Sequence, residues 1–289
     1  MEGVEHKTLS LNGISMHVAE MGHGPIILFL HGFPQCWYSW RHQMTFFARH
    51  GYRALAPDLR GYADTTGVPP SDPAKFTTLH VVGDIVALID AVAPADDQKV
   101  LVWATTGAMV AWALCLYRPD KVKALVNMSV AFTRRNPSRK PLEMLRAVYG
   151  DDYYICRFQE PGAIEHEFAQ IVSLPPWLSE EDVDYYTSKY NLTGFTAALN
   201  YYRALDIVDG AQVKVPVKFI VGDVDLTYNA PGSKEYIHKG GFKRDVPLLK
   251  EVVVMEGVGH FINEEKPDEV NAHIHSFFNQ FSSSHCSAL

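Results

Sequence analysis

The 289-residue chain has only four cysteines, Cys36, Cys115, Cys156 and Cys286, and no two of them stand at Cys-x-x-Cys spacing. That spread carries no metal or redox signature and is too sparse for a disulfide scaffold at this length. A basic excess is also missing. The formal net charge is -7 and the isoelectric point about 6.0, with no block of like charges, which argues against nucleic acid or an anionic membrane as partner. The opening stretch Met1 to Lys7 is polar and acidic and has neither the apolar core of a signal peptide nor the arginines of a transit peptide. One long uncharged run exists, the 18 residues from Val100 to Tyr117, which reaches the threshold for a membrane span. Thr105, Thr106 and Gly107 interrupt it, and a buried strand feeding a buried helix explains it better. The final Ser287-Ala-Leu289 lacks the basic residue of a peroxisomal address. A cytoplasmic protein without metal or cofactor is expected. There is no internal repeat and no low-complexity segment.

Apolar residues make up 47% of the chain, enough for a large core without staples. His6 to Asn12 and Ile14 to Glu20 alternate around Asn12-Gly13, a hairpin signal. Pro25 to Leu30 is continuously apolar, as in a strand buried on both faces. Helical spacing follows from Trp37 to Ala48, then a strand over Tyr52 to Ala56, a helix over His80 to Ala93, a strand over Lys99 to Trp103, a helix over Gly107 to Tyr117 and a strand over Val122 to Met128. Such alternation predicts an α/β fold, a mostly parallel, doubly wound sheet. From Arg134 to Ile207 no strand pattern appears, only aromatic-rich helical stretches. Val215 to Val221 and Leu249 to Met255 restart the sheet, and Asp268 to Phe281 closes the chain as a helix. The expected division is a core of residues 1–133 and 208–289 with a helical lid over 134–207.

In such a sheet, ligands bind at the carboxyl ends of the strands. Four of these ends carry chemistry. One gives the turn His31-Gly32-Phe33-Pro34, whose backbone can point an amide into a site. A second gives Ala104-Thr105-Thr106-Gly107 after Trp103. The third gives Asp223 and Asp225, and the fourth Glu256 to His260. An acid and a histidine on successive strand ends suit a base with its orienting partner. His260 is the candidate base and Asp225 its partner. Asp223 competes for that role, and Asp225 has a rival one, capping the short helix that follows.

These residues resemble the α/β-hydrolase family, and within it the plant soluble epoxide hydrolases, over almost the whole chain. The resemblance is carried by Leu28 to Pro34, Trp37-Tyr-Ser-Trp-Arg41, Ala56 to Tyr62, Tyr149 to Gly162, Asn200-Tyr-Tyr-Arg-Ala-Leu205 and Gly241 to Leu249. It implies an α/β-hydrolase fold with an inserted helical lid, in the order nucleophile, acid, histidine. In that family an elbow Asp attacks an epoxide to form an ester, a His-Asp pair activates the water that hydrolyses it, and two lid tyrosines hydrogen-bond to the epoxide oxygen. By motif position Asp225 and His260 match the pair, and Tyr154 and Tyr202 the tyrosines, with Tyr153 and Tyr201 one residue away. Phe33 matches the oxyanion-hole residue and Trp37 a pocket wall, with His31 in the same turn.

The departures fall at the elbow. The family reads His-Asp-Trp-Gly after a small residue, whereas this chain reads Ala104-Thr105-Thr106-Gly107 after Trp103. Thr105 stands in the nucleophile position and cannot form the carboxylate ester. It is β-branched, which makes a positive-φ elbow costly. The lid also looks shortened, after Gly162 and again between Asp206 and Gly210. The pocket is therefore expected to be wider, with Trp103 and Thr106 as wall. Three readings follow. The first, which the surviving base and acids favour, is a cyclase, isomerase or lyase acting on a bulky, largely apolar small molecule such as a specialised metabolite or its epoxide. The second is a residual hydrolase or esterase with Thr105 as nucleophile. The third is a non-catalytic small-molecule binder. A monomer or a homodimer is compatible with each.

Overall fold

The computed structural model describes residues 1–93, 100–104, 107–134, 138, 140–162, 164, 174–204 and 212–282. In chain order the elements are β1 (Glu5–Leu11), β2 (Ile14–Met21), β3 (Ile26–Leu30), α1 (Arg41–Arg49), β4 (Arg53–Pro57), α2 (Thr78–Val92), β5 (Val100–Ala104), α3 (Ala108–Tyr117) and β6 (Val122–Met128). Then come α4 (Pro141–Tyr149), α5 (Tyr154–Arg157), α6 (Glu180–Thr193), α7 (Thr196–Arg203), β7 (Val217–Gly222), α8 (Ser233–His238), α9 (Gly241–Asp245), β8 (Leu249–Met255), α10 (Ile262–Glu265) and α11 (Pro267–Ser282). Among the described residues, the connection from β6 to β7 is built of helices α4 to α7 and holds no strand.

The eight strands form one sheet in the order β1-β2-β4-β3-β5-β6-β7-β8. β1 and β2 pair antiparallel, as do β2 and β4, and the remaining pairs are parallel. The β1–β2 hairpin turns on Asn12 and Gly13, whose φ values of 50° and 81° are what a right-twisting two-residue turn requires. Leu28 and Leu30 of β3 pack on one face of the sheet and Ile27 and Phe29 on the other, so both faces are covered. α2 and α3 lie over the first face, α1 and α11 over the second. The chain winds from β3 outward to β4, then crosses to β5 on the other side of β3. That reversal opens a crevice at the carboxyl ends of β3 and β5, where α/β sheets bind ligands.

The uncharged run from Val100 divides into β5 and α3, and no helix among the described residues is long and apolar enough to cross a membrane. Cys36, Cys115 and Cys156 are buried and free.

Candidate active site

Two carboxyl-end loops on neighbouring strands bring the acid and the base together. After β7, Asp225 is 1% exposed. Its Oδ2 lies 2.9 Å from Nδ1 of His260, which follows β8. Its Oδ1 accepts from the Thr227 amide at 2.7 Å and faces the Thr227 hydroxyl at 2.9 Å. Asp225 therefore braces the turn that follows with one oxygen and orients the imidazole with the other; no helix starts there, the next being α8 from Ser233. With the Nδ1 proton directed at the carboxylate, the Nε2 lone pair is left to act as base. Asp223 faces elsewhere, its Oδ1 accepting from the Gly257 amide at 2.7 Å. The two loops approach closely because residue 222 is glycine. A Cβ there would stand 2.0 Å from the Val258 carbonyl oxygen.

Two residues that the sequence did not flag hold the His260 backbone. Ser129, directly after β6, donates its hydroxyl to the His260 carbonyl at 2.7 Å. Glu265, in α10, accepts from the amides of Gly259 and Phe261 on either side, at 2.7 and 2.9 Å. A serine after a strand and a glutamate in an acidic helix are too common to stand out. Only Glu265's position shortly after the histidine was a usable signal.

The His31 to Pro34 turn lies across the crevice, with a cis Phe33–Pro34 bond. His31 is completely buried. Its Nδ1 donates to the Gly32 carbonyl at 3.0 Å while Nε2 accepts from the Leu59 amide at 3.0 Å. Burial holds its pKa below the ordinary imidazole value, so it is a neutral brace for the turn. Gly107 lets α3 begin against this turn, since a Cβ there would sit 2.3 Å from the His31 carbonyl oxygen. Between the turn and the inserted helices is a cleft of about 60 Å³, whose lining includes His31, Phe33, Tyr62, Gly107, Tyr201 and Tyr202.

Tyr154 and Tyr202 both pack on Phe158, with ring centroids 5.3 and 5.0 Å away, and Tyr202 also meets the edge of Phe33 at 6.0 Å. Burial pushes both phenols above their ordinary value near 10, and the neighbouring phenols and, for Tyr154, the Asp225 carboxylate add to it. Both are thus protonated donors throughout the physiological range. Tyr201 is committed elsewhere, donating to the Arg60 carbonyl at 2.9 Å. Arg60 is itself fixed by a two-pronged contact with buried Asp84 at 2.6 Å. Tyr153 stacks on Tyr149 with centroids 4.3 Å apart.

Trp37, expected as a pocket wall, is held by other contacts. It is buried in the second core, against the opposite face of the sheet from α2 and α3. Its indole N–H donates to the Tyr185 hydroxyl of α6 at 2.8 Å and its amide to Asp58 at 2.9 Å. Its job here is to dock the inserted helix, and it does not line the described cleft. Thr105 and Thr106 lie outside the described residues, and so does the side chain of Trp103, whose backbone lies within β5. The stretches expected to be trimmed, after Gly162 and around Asp206 to Gly210, likewise fall largely outside them.

Among the described residues, one group brings possible metal-ligand atoms within 4.8 Å of one another, His17, Asp58 and Asp64. Its donors are already engaged. His17 Nδ1 lies 2.7 Å from Asp58, and Lys189 pairs with Asp64 at 2.5 Å. The lysine supplies the compensating cation, so the group reads as a structural network under Trp37.

A family profile described as the alpha/beta hydrolase family matches residues 27–273. The chain belongs to the α/β-hydrolase family. Within it, the chain is epoxide-hydrolase-like. It is 50% identical to epoxide hydrolase 3 of Siraitia grosvenorii over 320 aligned positions, which cover 97% of this chain and 100% of that protein. That alignment is longer than the 289 residues present, so the relative carries segments this chain lacks. Among solved structures, epoxide hydrolase I of potato (Solanum tuberosum) is 54% identical with a TM-score of 0.91, covering 96% of this chain and 100% of that one. An epoxide hydrolase of Vigna radiata is 51% identical with a TM-score of 0.92, covering 97% and 99%.

Proposed function

We propose that this α/β-hydrolase opens an epoxide, or a similarly strained ether, on a bulky and largely apolar small molecule by proton transfer rather than through a covalent ester. The observation that carries the reading is the His260–Asp225 pair at 2.9 Å, supported by Thr227 and kept in a chain whose elbow offers Thr105 in place of a carboxylate. Its solved relatives named as epoxide hydrolases support the substrate class.

In this reading Tyr154 and Tyr202 hydrogen-bond to the epoxide oxygen. As the C–O bond breaks, one phenol gives that oxygen its proton. A hydroxyl or amine of the same substrate attacks the freed carbon and loses its proton to Nε2 of His260. Asp225 stabilises the imidazolium, and the proton returns to the phenolate to close the cycle. Nothing is added to the substrate and nothing leaves, so product and substrate are isomers. Acid and base of this kind each contribute about 10²–10⁴-fold when correctly placed.

The test is a pair of variants assayed on epoxides that carry an internal hydroxyl. Thr105→Ala is expected to retain turnover, whereas His260→Ala is expected to lose it by about 10²-fold or more. Loss of turnover in Thr105→Ala, together with an acyl adduct on Thr105 when the parent is given an activated ester, would favour an esterase instead.

A further inference from the structure

Ser129 directly follows β6, has a φ of 66° and is 2% exposed. A left-handed backbone is uphill for a residue that carries a Cβ, so its partners must hold it there. Its amide donates to the Ile220 carbonyl in β7 at 2.9 Å. Its own carbonyl accepts from the Thr227 hydroxyl at 2.6 Å, and its hydroxyl reaches the His260 carbonyl at 2.7 Å. One residue thus ties the end of β6 to β7 and its following loop through its backbone, and to the loop after β8 through its side chain. The Thr227 hydroxyl that meets Ser129 also faces Asp225 Oδ1, sharing one proton between two acceptors. Ser129 is therefore bonded to His260 directly and to Asp225 through a single intermediate. From the other side, Glu265 holds the amides flanking His260.

We infer that Ser129 is a positioning residue for the base, with Glu265 as its counterpart. Together they fix the peptide from which the His260 imidazole projects, so that Nδ1 stays on Asp225 and Nε2 faces the substrate. A base must be held within about 0.5 Å of its productive geometry, and one that projects from an irregular loop needs support from neighbouring elements to be so held. The strained backbone at Ser129 is what directs its hydroxyl across the Asp225 loop to the His260 loop. This inference rests on the reading of His260 as base.

The experiment combines turnover with the low-field proton resonance of the His260–Asp225 hydrogen bond. Ser129→Ala keeps the strained backbone and loses the hydroxyl, whereas Ser129→Gly relieves the strain and also loses it. Both are expected to shift or broaden the resonance, alter the pH profile, and lower kcat at least tenfold with little change in KM. Ser129→Gly should nonetheless melt no lower than Ser129→Ala. Thr227→Ser, which keeps the shared hydroxyl, should behave like the parent, and Thr227→Val like Ser129→Ala. A parent-like resonance and pH profile in both Ser129 variants, with only the melting temperature changed, would overturn the inference and leave a structural brace. Should neither Ser129 variant fold, Glu265→Gln gives the same readouts, since it retains only one of the two amide acceptors. Retained turnover in His260→Ala would sink the base reading separately, because the resonance reports the tie whether or not His260 is the base.

Discussion

His260 is constrained at two levels, its ring by Asp225 and its peptide by Ser129 and Glu265. The ring contact sets the tautomer. Asp225→Asn keeps the shape but presents either an amide N–H or an uncharged oxygen to Nδ1. It should lower turnover by about 10²-fold or more with substrate binding intact, which steady-state kinetics will show. The paired tyrosines give a contrast. In the proposed reading Tyr202→Phe removes a donor to the substrate, whereas Tyr201→Phe removes a buried hydrogen bond to Arg60. The first should lose activity at unchanged melting temperature. The second should lose about 1 kcal/mol of stability, read by denaturant unfolding, and keep its chemistry. At this scale the sequence was informative where residue type is diagnostic. An acid and a histidine at successive strand ends pointed to Asp225 and His260, and motif resemblance pointed to Tyr154 and Tyr202. Ser129 was silent because its meaning lies in a contact made 131 positions away. For Trp37 residue type was not diagnostic, because a tryptophan beside a strand-end loop can face cleft or core, and its bond to α6 lies far away in sequence.

That docking is the main event at the scale of elements. Arg41 of α1 reaches Glu264 of α10 at 2.7 Å and Asp182 of α6 at 3.1 Å, all three buried. Gln35 and Tyr186 complete the shell of Glu264 at 2.7 and 3.1 Å. One guanidinium thus joins the inserted helices to the helix that carries Glu265. Burial alone would lower the pKa of Arg41, but the hydrogen bond and charge of Glu264 outweigh it and the net shift is upward. Replacing Arg41 with Met leaves two buried carboxylates unpaired and should cost about 3–5 kcal/mol, loosening α6 in hydrogen exchange before the sheet. Asp182 makes the same contact pH-dependent. Burial opposes its charge, but hydrogen bonds from Ser179 and the Arg41 charge prevail, so its pKa lies below the ordinary carboxylate value. A depressed value means that the charged form favours the folded state above about pH 4, and that this contribution is lost as pH falls through the depressed pKa. Protection of α6 amides should therefore fall with acid below about pH 4, and Asp182→Asn should flatten that dependence. An identical acid profile in the variant would contradict the assignment.

At the scale of the whole molecule, the doubly wound sheet was legible because its signals are local. Asn12-Gly13 specifies its own turn, and continuous apolar runs such as Pro25 to Leu30 fit only strands covered on both faces. The strands after the inserted helices were legible for the same reason. The orientation of the inserted helices was not, because it depends on long-range pairs such as Trp37 with Tyr185 and Arg41 with Asp182. The sheet supplies the logic of the site. Parallel strands put their carboxyl ends on one edge, so turns from β3, β6, β7 and β8 converge there although they are far apart in sequence. Thr105 follows β5 in the chain, outside the described residues, and in the proposed reading its standing where the resemblance puts a carboxylate is what separates the reaction from hydrolysis through an ester. Isotope incorporation measures that separation directly. Epoxides bearing an internal hydroxyl or amine are turned over in ¹⁸O-water and the products weighed. Proton-transfer opening predicts a product of the substrate's own mass with no label. A diol two mass units heavier than in ordinary water would contradict the account and return the chain to the hydrolases.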